Sequence, residues 1–409
     1  MPFNYVKRLR AVEEVDYDIV MAEDTDPRKI DVSHQCYRTE MGLPWVMPIV
    51  REIEKVLANN IKENIKYSSF GSNEFRHAVT EFVLGKEHVR VMSGQVLTVQ
   101  TVSSTGALRL VSELAWKKLN LRQVYVPNLT WDIYHPAFLA AGFPKPKQYR
   151  YYDHNNHTLD FEGMIEDLCT IPSDAVVMFY ACCHNPTGCD PTVKQWKYIA
   201  EAIGMRLFPI IDLSYQGLAS GDPDEDAFPV RLFARLGVEM AVCVSFSQNF
   251  LLYNDRVGAL ILIARYAQDI PALKGHLATM IAALHGSPPY HGAEIVTTIL
   301  KNPKYYEQWR ACLKKIRDQT QNARNCFVGT LKSFGVPGNW DYITRGKGMS
   351  TFTSLTDRQI QHLILYHHVY IRKNGSFNIG SLSDNNVEYV AEAIADSMKE
   401  YPDIDDIGQ

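Results

Sequence analysis

The feature that most constrains the fold of this chain is a series of short, continuous apolar runs that alternate with helical patterns. The runs are rich in β-branched or aromatic residues and cover residues 124–127, 175–180, 207–212, 241–247 and 259–264. Strands that are apolar on both faces are typical of parallel sheets covered by helices on each side. Residues 106–118 and 193–204 instead repeat apolar side chains at intervals of three and four, as helices do. The alternation predicts an α/β fold with a mostly parallel sheet.

The two ends of the chain differ from this middle part. Residues 304–333 have the pattern of one long, charged amphipathic helix, and a shorter mixed α and β pattern follows. The first 45 residues have an irregular pattern. We therefore predict a large domain over residues 46–315 and a smaller domain built from both chain ends, residues 1–45 and 316–409.

Composition excludes several classes of protein. The net charge of −4 argues against a broadly basic surface for nucleic acid. No apolar stretch approaches the roughly 18 residues of a membrane span, and the N-terminus lacks the apolar core of a signal peptide. Eight scattered cysteines fit buried thiols in a reducing compartment better than a disulfide scaffold. We expect a cytoplasmic protein that binds neither nucleic acid nor membrane.

Polar residues gather at the predicted strand ends, which is where open α/β sheets bind ligands. Hydroxyl and guanidinium groups that suit a phosphate are contributed by Ser103, Ser104, Thr105, Ser245, Ser247 and Arg256. The first three of these open a helical pattern, so their free backbone N–H groups also favour an anion. An explanation without a ligand is also open. The hydroxyl residues that open the helix could be ordinary helix caps, and Arg256 could form an ion pair at the surface.

Two further segments at strand ends carry polar groups. Asp212 ends an apolar run, with Tyr215 three residues later, and a buried carboxylate needs a cation or hydrogen-bond donors. A helix cap explains this aspartate equally well. Residues 184–188, HNPTG, must turn because Asn185 precedes a proline. The nearby cysteines do not predict a metal site, since adjacent cysteines chelate one ion poorly. Together these groups suit a phosphorylated cofactor with a basic ring nitrogen.

Motifs in every part of the chain occur in the order and at the spacing of one enzyme family. They are CYRTE, PWVMPIV, SSTGALRL, TWDIYH, CHNPTG, LFPIIDLSYQGLASG, SFSQNFLLYNDRVGAL, SPPYHGAEIV and YIRKNGSFNIGSLS. The chain resembles the aspartate aminotransferase family, class I pyridoxal-phosphate enzymes of fold type I, and is most similar to the eukaryotic cytosolic branch. The resemblance implies a large domain with a mostly parallel sheet and a smaller α+β domain.

The resemblance also implies roles for individual residues. Trp131 would stack on the cofactor ring, and Asp212 would pair with the protonated ring nitrogen. Asn185 and Tyr215 would hydrogen-bond the ring hydroxyl oxygen. Tyr67 would reach the phosphate in the neighbouring subunit's site, which implies a homodimer with shared sites. The phosphate would be held by Ser103, Ser104, Thr105, Ser245, Ser247 and Arg256.

The chain departs from the family at its central catalytic position. Gln248 stands where the family has the lysine that forms the Schiff base and transfers the substrate proton, and SFS and NF flank it without a gap. An amide provides neither an amine nucleophile nor a general base. A general base alone typically raises the reaction rate by a factor of about 10²–10⁴.

Substrate-binding positions depart as well. Ser376 and Ala282 replace the two arginines that bind the substrate carboxylates, and Gln35 replaces a small glycine near the substrate. Ile133 and Tyr134 stand in place of an Asn-His pair after the stacking tryptophan. Losing one buried arginine–carboxylate pair typically costs about 2–5 kcal/mol of binding free energy.

We therefore predict an aspartate aminotransferase-like pseudoenzyme that keeps the cofactor-binding residues but lacks the catalytic lysine and both arginines. It would hold pyridoxal phosphate or pyridoxamine phosphate without a covalent link, and no metal. Two alternatives stay open at this point. One is an active or weakly active aspartate/2-oxoglutarate transaminase that uses another lysine or a water as base. The other is a regulatory subunit that forms a heterodimer with an active paralogue.

Overall fold

The structure is a computed structural model that describes residues 19–34, 36–39, 41, 43–59 and 68–402. Its strands are β1 (Ile30–Asp31), β2 (Val96–Val102), β3 (Gln123–Pro127), β4 (Lys147–Tyr149), β5 (Tyr152–Asp153), β6 (Thr158–Leu159), β7 (Ala175–Tyr180), β8 (Phe208–Leu213), β9 (Met240–Ser245), β10 (Val257–Ile263), β11 (Ser350–Phe352), β12 (Val369–Tyr370) and β13 (Ser376–Asn378).

Its α-helices are α1 (Pro48–Ala58), α2 (Asn73–Leu84), α3 (Val89–Met92), α4 (Ser103–Lys117), α5 (Tyr134–Ala141), α6 (Phe161–Thr170), α7 (Val193–Ile203), α8 (Pro223–Asp226), α9 (Phe228–Leu236), α10 (Ile270–Leu284), α11 (His291–Lys301), α12 (Pro303–Ser333), α13 (Asp341–Arg345), α14 (Asp357–His367) and α15 (Val387–Glu400). Strands and helices alternate through the middle of the chain, as the apolar pattern predicts.

A seven-stranded sheet with the order β2-β10-β9-β8-β7-β3-β4 forms the centre of the larger unit. Neighbouring strands are parallel except where β10 pairs with β2 and with β9. Along β7, Met178 and Tyr180 join the core formed with α4, α5 and α10. Phe179 points the other way and packs edge-on against Trp196 of α7 and Phe233 of α9. Both faces of the sheet are therefore covered, and the predicted α/β fold with a mostly parallel sheet is confirmed.

Most predicted elements are confirmed, with small shifts at their ends. The five apolar runs are strands β3, β7, β8, β9 and β10. Residues 193–204 and 304–333 correspond to helices α7 and α12. Helix α4 begins at Ser103, where the hydroxyl residues were expected to open it, and three residues before the apolar repeat at 106–118, because the chain enters the helix directly from β2. The expectation of irregular structure before residue 45 is wrong in part: residues 19–23 are helical, and β1 pairs in parallel with β12.

The described residues divide into two compact units. The larger contains residues 45–319 with 346–348, and the smaller contains the described parts of residues 1–44, 320–345 and 349–402. The core of the smaller unit is built from the end of α12, from α14 and from α15. Within it, the rings of Phe327 and Phe377 stack with centroids 5.2 Å apart.

Candidate functional site

The carboxyl ends of strands β2, β3, β7, β8 and β9 and the start of β10 meet at one edge of the sheet. Strand β10 starts there because it runs antiparallel, with Val257 opposite Val102 and Gly258 opposite Ser245. The Ser103 backbone N–H accordingly donates to the carbonyl of Arg256 at 2.7 Å. The pairing brings Ser103 next to Ser245, 142 positions later in the chain, and to Arg256, so the segments that carry the predicted phosphate-binding residues meet here.

Four buried serines form a hydroxyl cluster at this edge, defined here as Ser103, Ser104, Ser245 and Ser247. The hydroxyl oxygens of Ser103 and Ser245 lie 3.1 Å apart. The Ser247 backbone N–H donates to Ser245 Oγ at 3.2 Å, whereas Ser247 Oγ has no partner among the described residues. A buried hydroxyl without a hydrogen-bond partner lowers the stability of the fold, so Ser247 Oγ is suited to bind a ligand.

The hydroxyl cluster coincides with the start of α4, of which Ser103 and Ser104 are the first residues. The first backbone N–H groups of a helix lack helical acceptors and favour an anion. Gly258 on β10 allows this arrangement, because a Cβ atom at that position would overlap the Ser103 backbone. Hydroxyls and helix N–H groups thus fit the predicted phosphate.

Asp212 lies one residue before the end of β8 and is 4% exposed. Its Oδ2 accepts a hydrogen bond from Tyr134 Oη at 2.9 Å. Its Oδ1 accepts from the hydroxyl of Ser214 and, at 3.0 Å, from the Ser214 backbone N–H. Burial raises the pKa of Asp212, and these hydrogen bonds oppose the rise. A protonated ring nitrogen beside this carboxylate would stabilise its charged form further.

Tyr134 and Ser214 are site residues whose contacts with Asp212 the sequence did not indicate. The Tyr134 ring is buried between Tyr180, with ring centroids 5.5 Å apart, and Trp131, at 6.0 Å. Burial, and then the charge of Asp212, raise the pKa of the Tyr134 phenol, so it stays a hydrogen-bond donor. In the sequence, the only indication that Tyr134 belongs to the site was its position three residues after Trp131, the predicted stacking residue. The hydroxyl oxygen of Ser214 also lies 3.1 Å from Ser104 Oγ, which links Asp212 to the hydroxyl cluster.

The HNPTG turn follows β7 at the same edge. Asn185 is buried and forms a cis peptide bond with Pro186. His184 is fully buried, stacks on Tyr151 at 4.1 Å, and its Nδ1 lies 2.8 Å from Thr187 Oγ1. Burial lowers the pKa of His184 to about 3, so the ring is neutral near pH 7.

Gln248 lies in the turn that follows β9. Two hydrogen bonds of the next residue, Asn249, hold this turn in place. The Asn249 side chain donates to the carbonyl of Gln216 at 3.1 Å, and the carbonyl of Asn249 accepts from Trp309 Nε1 at 2.8 Å. Gln248 Oε1 is buried and has no partner among the described residues. The structure therefore presents an amide beside the hydroxyl cluster, at the position where the resemblance implies a lysine.

The remaining predicted site residues lie in different surroundings. Tyr215 is buried, and Thr105 is half-buried in the first turn of α4. Arg256 is exposed and donates to the carbonyl of Tyr253 at 3.2 Å. Ala282 is exposed on α10, and Ser376 is a buried residue of β13 in the smaller unit. Gln35 and Tyr67 lie outside the described residues.

Comparison with known proteins identifies the family. Residues 28–394 match the family described as aminotransferase class I and II. The chain is 39% identical over 379 residues to the cytoplasmic aspartate aminotransferase of Caenorhabditis elegans, an alignment that covers 92% of this chain and 93% of that one. The solved structure of the aspartate aminotransferase from the cytoplasm of Saccharomyces cerevisiae matches with a TM-score of 0.94 and 32% identity, and the match covers 98% of this chain and 99% of that one.

A third relative is the aromatic-amino-acid aminotransferase of Burkholderia pseudomallei, whose structure is described as covalently bound to pyridoxal phosphate. It matches with a TM-score of 0.92 and 29% identity, covering 97% of this chain and 99% of that one. In the part of the chain that the structure describes, no helix combines the length and apolarity needed to cross a membrane. The family match spans most of the chain, and its relatives share the whole fold. The chain therefore belongs to the class I and II aminotransferase family, with a fold of type I and a strong similarity to aspartate aminotransferases.

Proposed function

We propose that this chain is an aspartate aminotransferase-like pseudoenzyme that binds pyridoxal phosphate or pyridoxamine phosphate without a covalent bond. The observation that carries the proposal is Gln248. It stands beside the hydroxyl cluster in a turn whose neighbouring residue Asn249 is held by two hydrogen bonds. Its amide carries no nucleophilic amine and does not accept a proton near neutral pH, so two functions of the family's lysine are absent at this position.

The residues at the sheet edge fit the cofactor. The hydroxyl cluster and the first N–H groups of α4 would hold its phosphate, and Ser247 Oγ would gain the partner it lacks. Asp212 would keep the ring nitrogen protonated, Trp131 would stack on the ring, and Asn185 and Tyr215 would bond its hydroxyl oxygen. When bound, the cofactor supplies an electron sink for negative charge on a substrate carbon. Hydrogen bonds from Tyr134 and Ser214 hold the Asp212 carboxylate in place for this role.

The residues at the substrate-binding positions also support the proposed loss of activity. Ala282 and Ser376 carry no charge to pair with a carboxylate. Each lost arginine–carboxylate pair typically costs about 2–5 kcal/mol, or about 30-fold to several thousand-fold in affinity. A dicarboxylate such as aspartate would bind poorly even with a base present. We further propose that the chain forms a homodimer, as the resemblance implies. We also propose that it is cytoplasmic, which the names of two relatives support.

The experiment that tests the proposal is a titration with each cofactor form, followed by absorbance and by intact mass before and after borohydride reduction. We expect both forms to bind to the natural chain, with no mass increase after reduction. In the variant Gln248→Lys, reduction fixes one cofactor on that lysine, whereas aspartate turnover stays low because the arginines are still absent. Gln248→Met, which has a side chain of similar length without an amine, is the matched control.

Three outcomes contradict the proposal in different ways. An adduct on another lysine of the natural chain overturns the pseudoenzyme assignment and identifies a substitute nucleophile. Binding of neither form overturns the assignment of a cofactor. Full aspartate turnover by Gln248→Lys alone shows that the interpretation of Ala282 and Ser376 is wrong.

A further inference from the structure

Two histidines and one aspartate form a cluster in the smaller unit. His362 and His367 lie on α14, and Asp396 lies on α15. One ring nitrogen or carboxylate oxygen of each lies within 4.8 Å of the corresponding atoms of the other two. We propose that these three side chains form a binding site for a divalent transition-metal ion of the Zn²⁺ type, which prefers imidazole and carboxylate ligands.

Two of the three ligands already lie close to the spacing that a metal site requires. His367 Nε2 lies 2.9 Å from Asp396 Oδ2. Bonds of about 2.0–2.1 Å to zinc place the ligand atoms of a tetrahedral site about 3.4 Å apart. The Asp396 side chain is 53% exposed, so it can move by the ångström or so that closure around an ion requires. An ion bound at Nε2 of His367 replaces the hydrogen bond between His367 and Asp396, because a ring nitrogen that binds a metal carries no hydrogen.

The third ligand is oriented by a buried hydroxyl. His362 is 9% exposed, and its Nδ1 lies 3.0 Å from the hydroxyl of Ser397, which is fully buried. A histidine that binds a metal commonly has its other ring nitrogen hydrogen-bonded in this way, which fixes the ring and its tautomer. The bond to Ser397 leaves Nε2 of His362 for the ion. The Tyr366 ring stacks on His362 with centroids 4.7 Å apart and restricts the ring further.

A cavity of about 840 Å³ gives access to the cluster, because His367 and Asp396 line its wall. Three protein ligands leave a fourth position of a tetrahedral ion for water or a small anion, and the cavity can supply either. Charges of both signs line the wall, namely Glu392, Arg28 and Lys399. Arg28 is paired with Asp26 at 2.8 Å, which reduces its repulsion of a cation.

The test uses the full-length chain after removal of metal, equilibrated with Zn²⁺ by dialysis and analysed for bound metal. We expect one high-affinity zinc per chain, and Co²⁺ in its place should give the visible absorption of a tetrahedral site. His367→Gln and Asp396→Asn should abolish this binding. Ser397→Ala should weaken it about 10–100-fold, whereas Ser397→Thr, which keeps the hydroxyl, should retain it.

A matched control is the pair of His291 and Asp255, 3.1 Å apart, which belongs to no three-ligand cluster among the described residues. His291→Ala should leave the zinc stoichiometry unchanged. Equal zinc content in the natural chain and in His367→Gln would overturn the proposal. So would an affinity of folded Ser397→Ala equal to that of the natural chain, with folding checked by circular dichroism.

Discussion

At the scale of single residues, Asp212 is the group whose surroundings most directly define the candidate site. Each of its oxygens has a donor: the phenol of Tyr134 on Oδ2, and the hydroxyl and N–H of Ser214 on Oδ1. These donors favour the charged form, against burial, which favours the neutral one. Burial outweighs the donors, so the pKa of Asp212 is raised overall, but the donors limit that rise.

The first prediction concerns Tyr134→Phe. The substitution removes the donor to Asp212 Oδ2 and leaves a buried carboxylate oxygen short of one hydrogen bond. We expect the free energy of unfolding to fall by about 1–3 kcal/mol, the usual cost of a buried group that loses its partner. Urea denaturation of the cofactor-free protein measures it. Tyr125→Phe is the control, because the phenol of this half-buried β3 residue makes only long contacts: it donates to Gln123 Oε1 at 3.3 Å and accepts from Lys147 Nζ at 3.4 Å. Equal stability of Tyr134→Phe and the natural chain would contradict the role given to this hydrogen bond.

Residues of the candidate site differ in how far the sequence could identify them. Asp212 and Ser247 were predictable because a polar side chain at the end of an apolar run is unusual. Tyr134 was not, because a tyrosine at the start of an apolar helix is expected in the core. Its contact with Asp212 joins residues 78 positions apart. Such a contact depends on how β8 and α5 are placed in the fold, which local pattern does not give.

At the scale of elements, helix α7 combines an apolar face with a capping motif at its N-terminus. Thr192 accepts from the N–H of Gln195, and the Gln195 side chain accepts in return from the N–H of Thr192. This capping box satisfies two groups that the end of a helix otherwise leaves unpaired. The buried residues Trp196 and Ile199 then anchor the helix on the sheet.

The second prediction concerns this cap. Thr192→Ala removes the hydroxyl acceptor, so we expect a loss of about 1 kcal/mol of unfolding free energy, within a range of about 0.5–2 kcal/mol. Thr192→Ser keeps the hydroxyl and should retain most of the stability, which makes it the matched control. Urea denaturation midpoints of the three proteins at a common m-value measure the difference. An equal loss in both variants would show that the methyl group, and not the hydrogen bond, stabilises this end of α7.

Strand direction is the element-scale property that the sequence left open. The run of β10 is continuously apolar, as are those of β7 and β9, because strands buried on both faces have similar patterns whichever way they run. Only the register of β10, antiparallel to both of its neighbours, places Arg256 at the edge where the other strands end. The sequence placed Arg256 with the strand-end residues because of its charge and the apolar run that follows it, without indicating the direction of β10.

At the scale of the whole molecule, buried titratable groups near the HNPTG turn link global stability to pH. His184 has its pKa lowered to about 3 by burial, and Asp190, which accepts from the N–H groups of Cys183 and His184, has its pKa raised to about 6 by burial. Between about pH 6.5 and 3, the unfolded chain binds a proton at position 184 that the folded chain does not. Stability from His184 is therefore complete above its unfolded pKa and is lost as pH falls. Asp190 contributes with the opposite sign between about pH 4 and 6, because there the folded chain binds the extra proton.

The third prediction isolates the histidine from this opposing contribution. His184→Gln removes the titrating ring, keeps a group that can bond Thr187, and leaves Asp190 in place. The free energy of unfolding of the natural chain, minus that of His184→Gln, should fall by about 1.4 kcal/mol for each unit that pH falls between about 6 and 4. Urea denaturation at several pH values in that interval measures this difference. If the difference is constant with pH, the His184 ring is protonated equally in the folded and unfolded chains. The folded protein would then have to admit water and charge between the rings of Tyr151 and Tyr180, whose centroids lie 4.1 and 4.6 Å from that of His184.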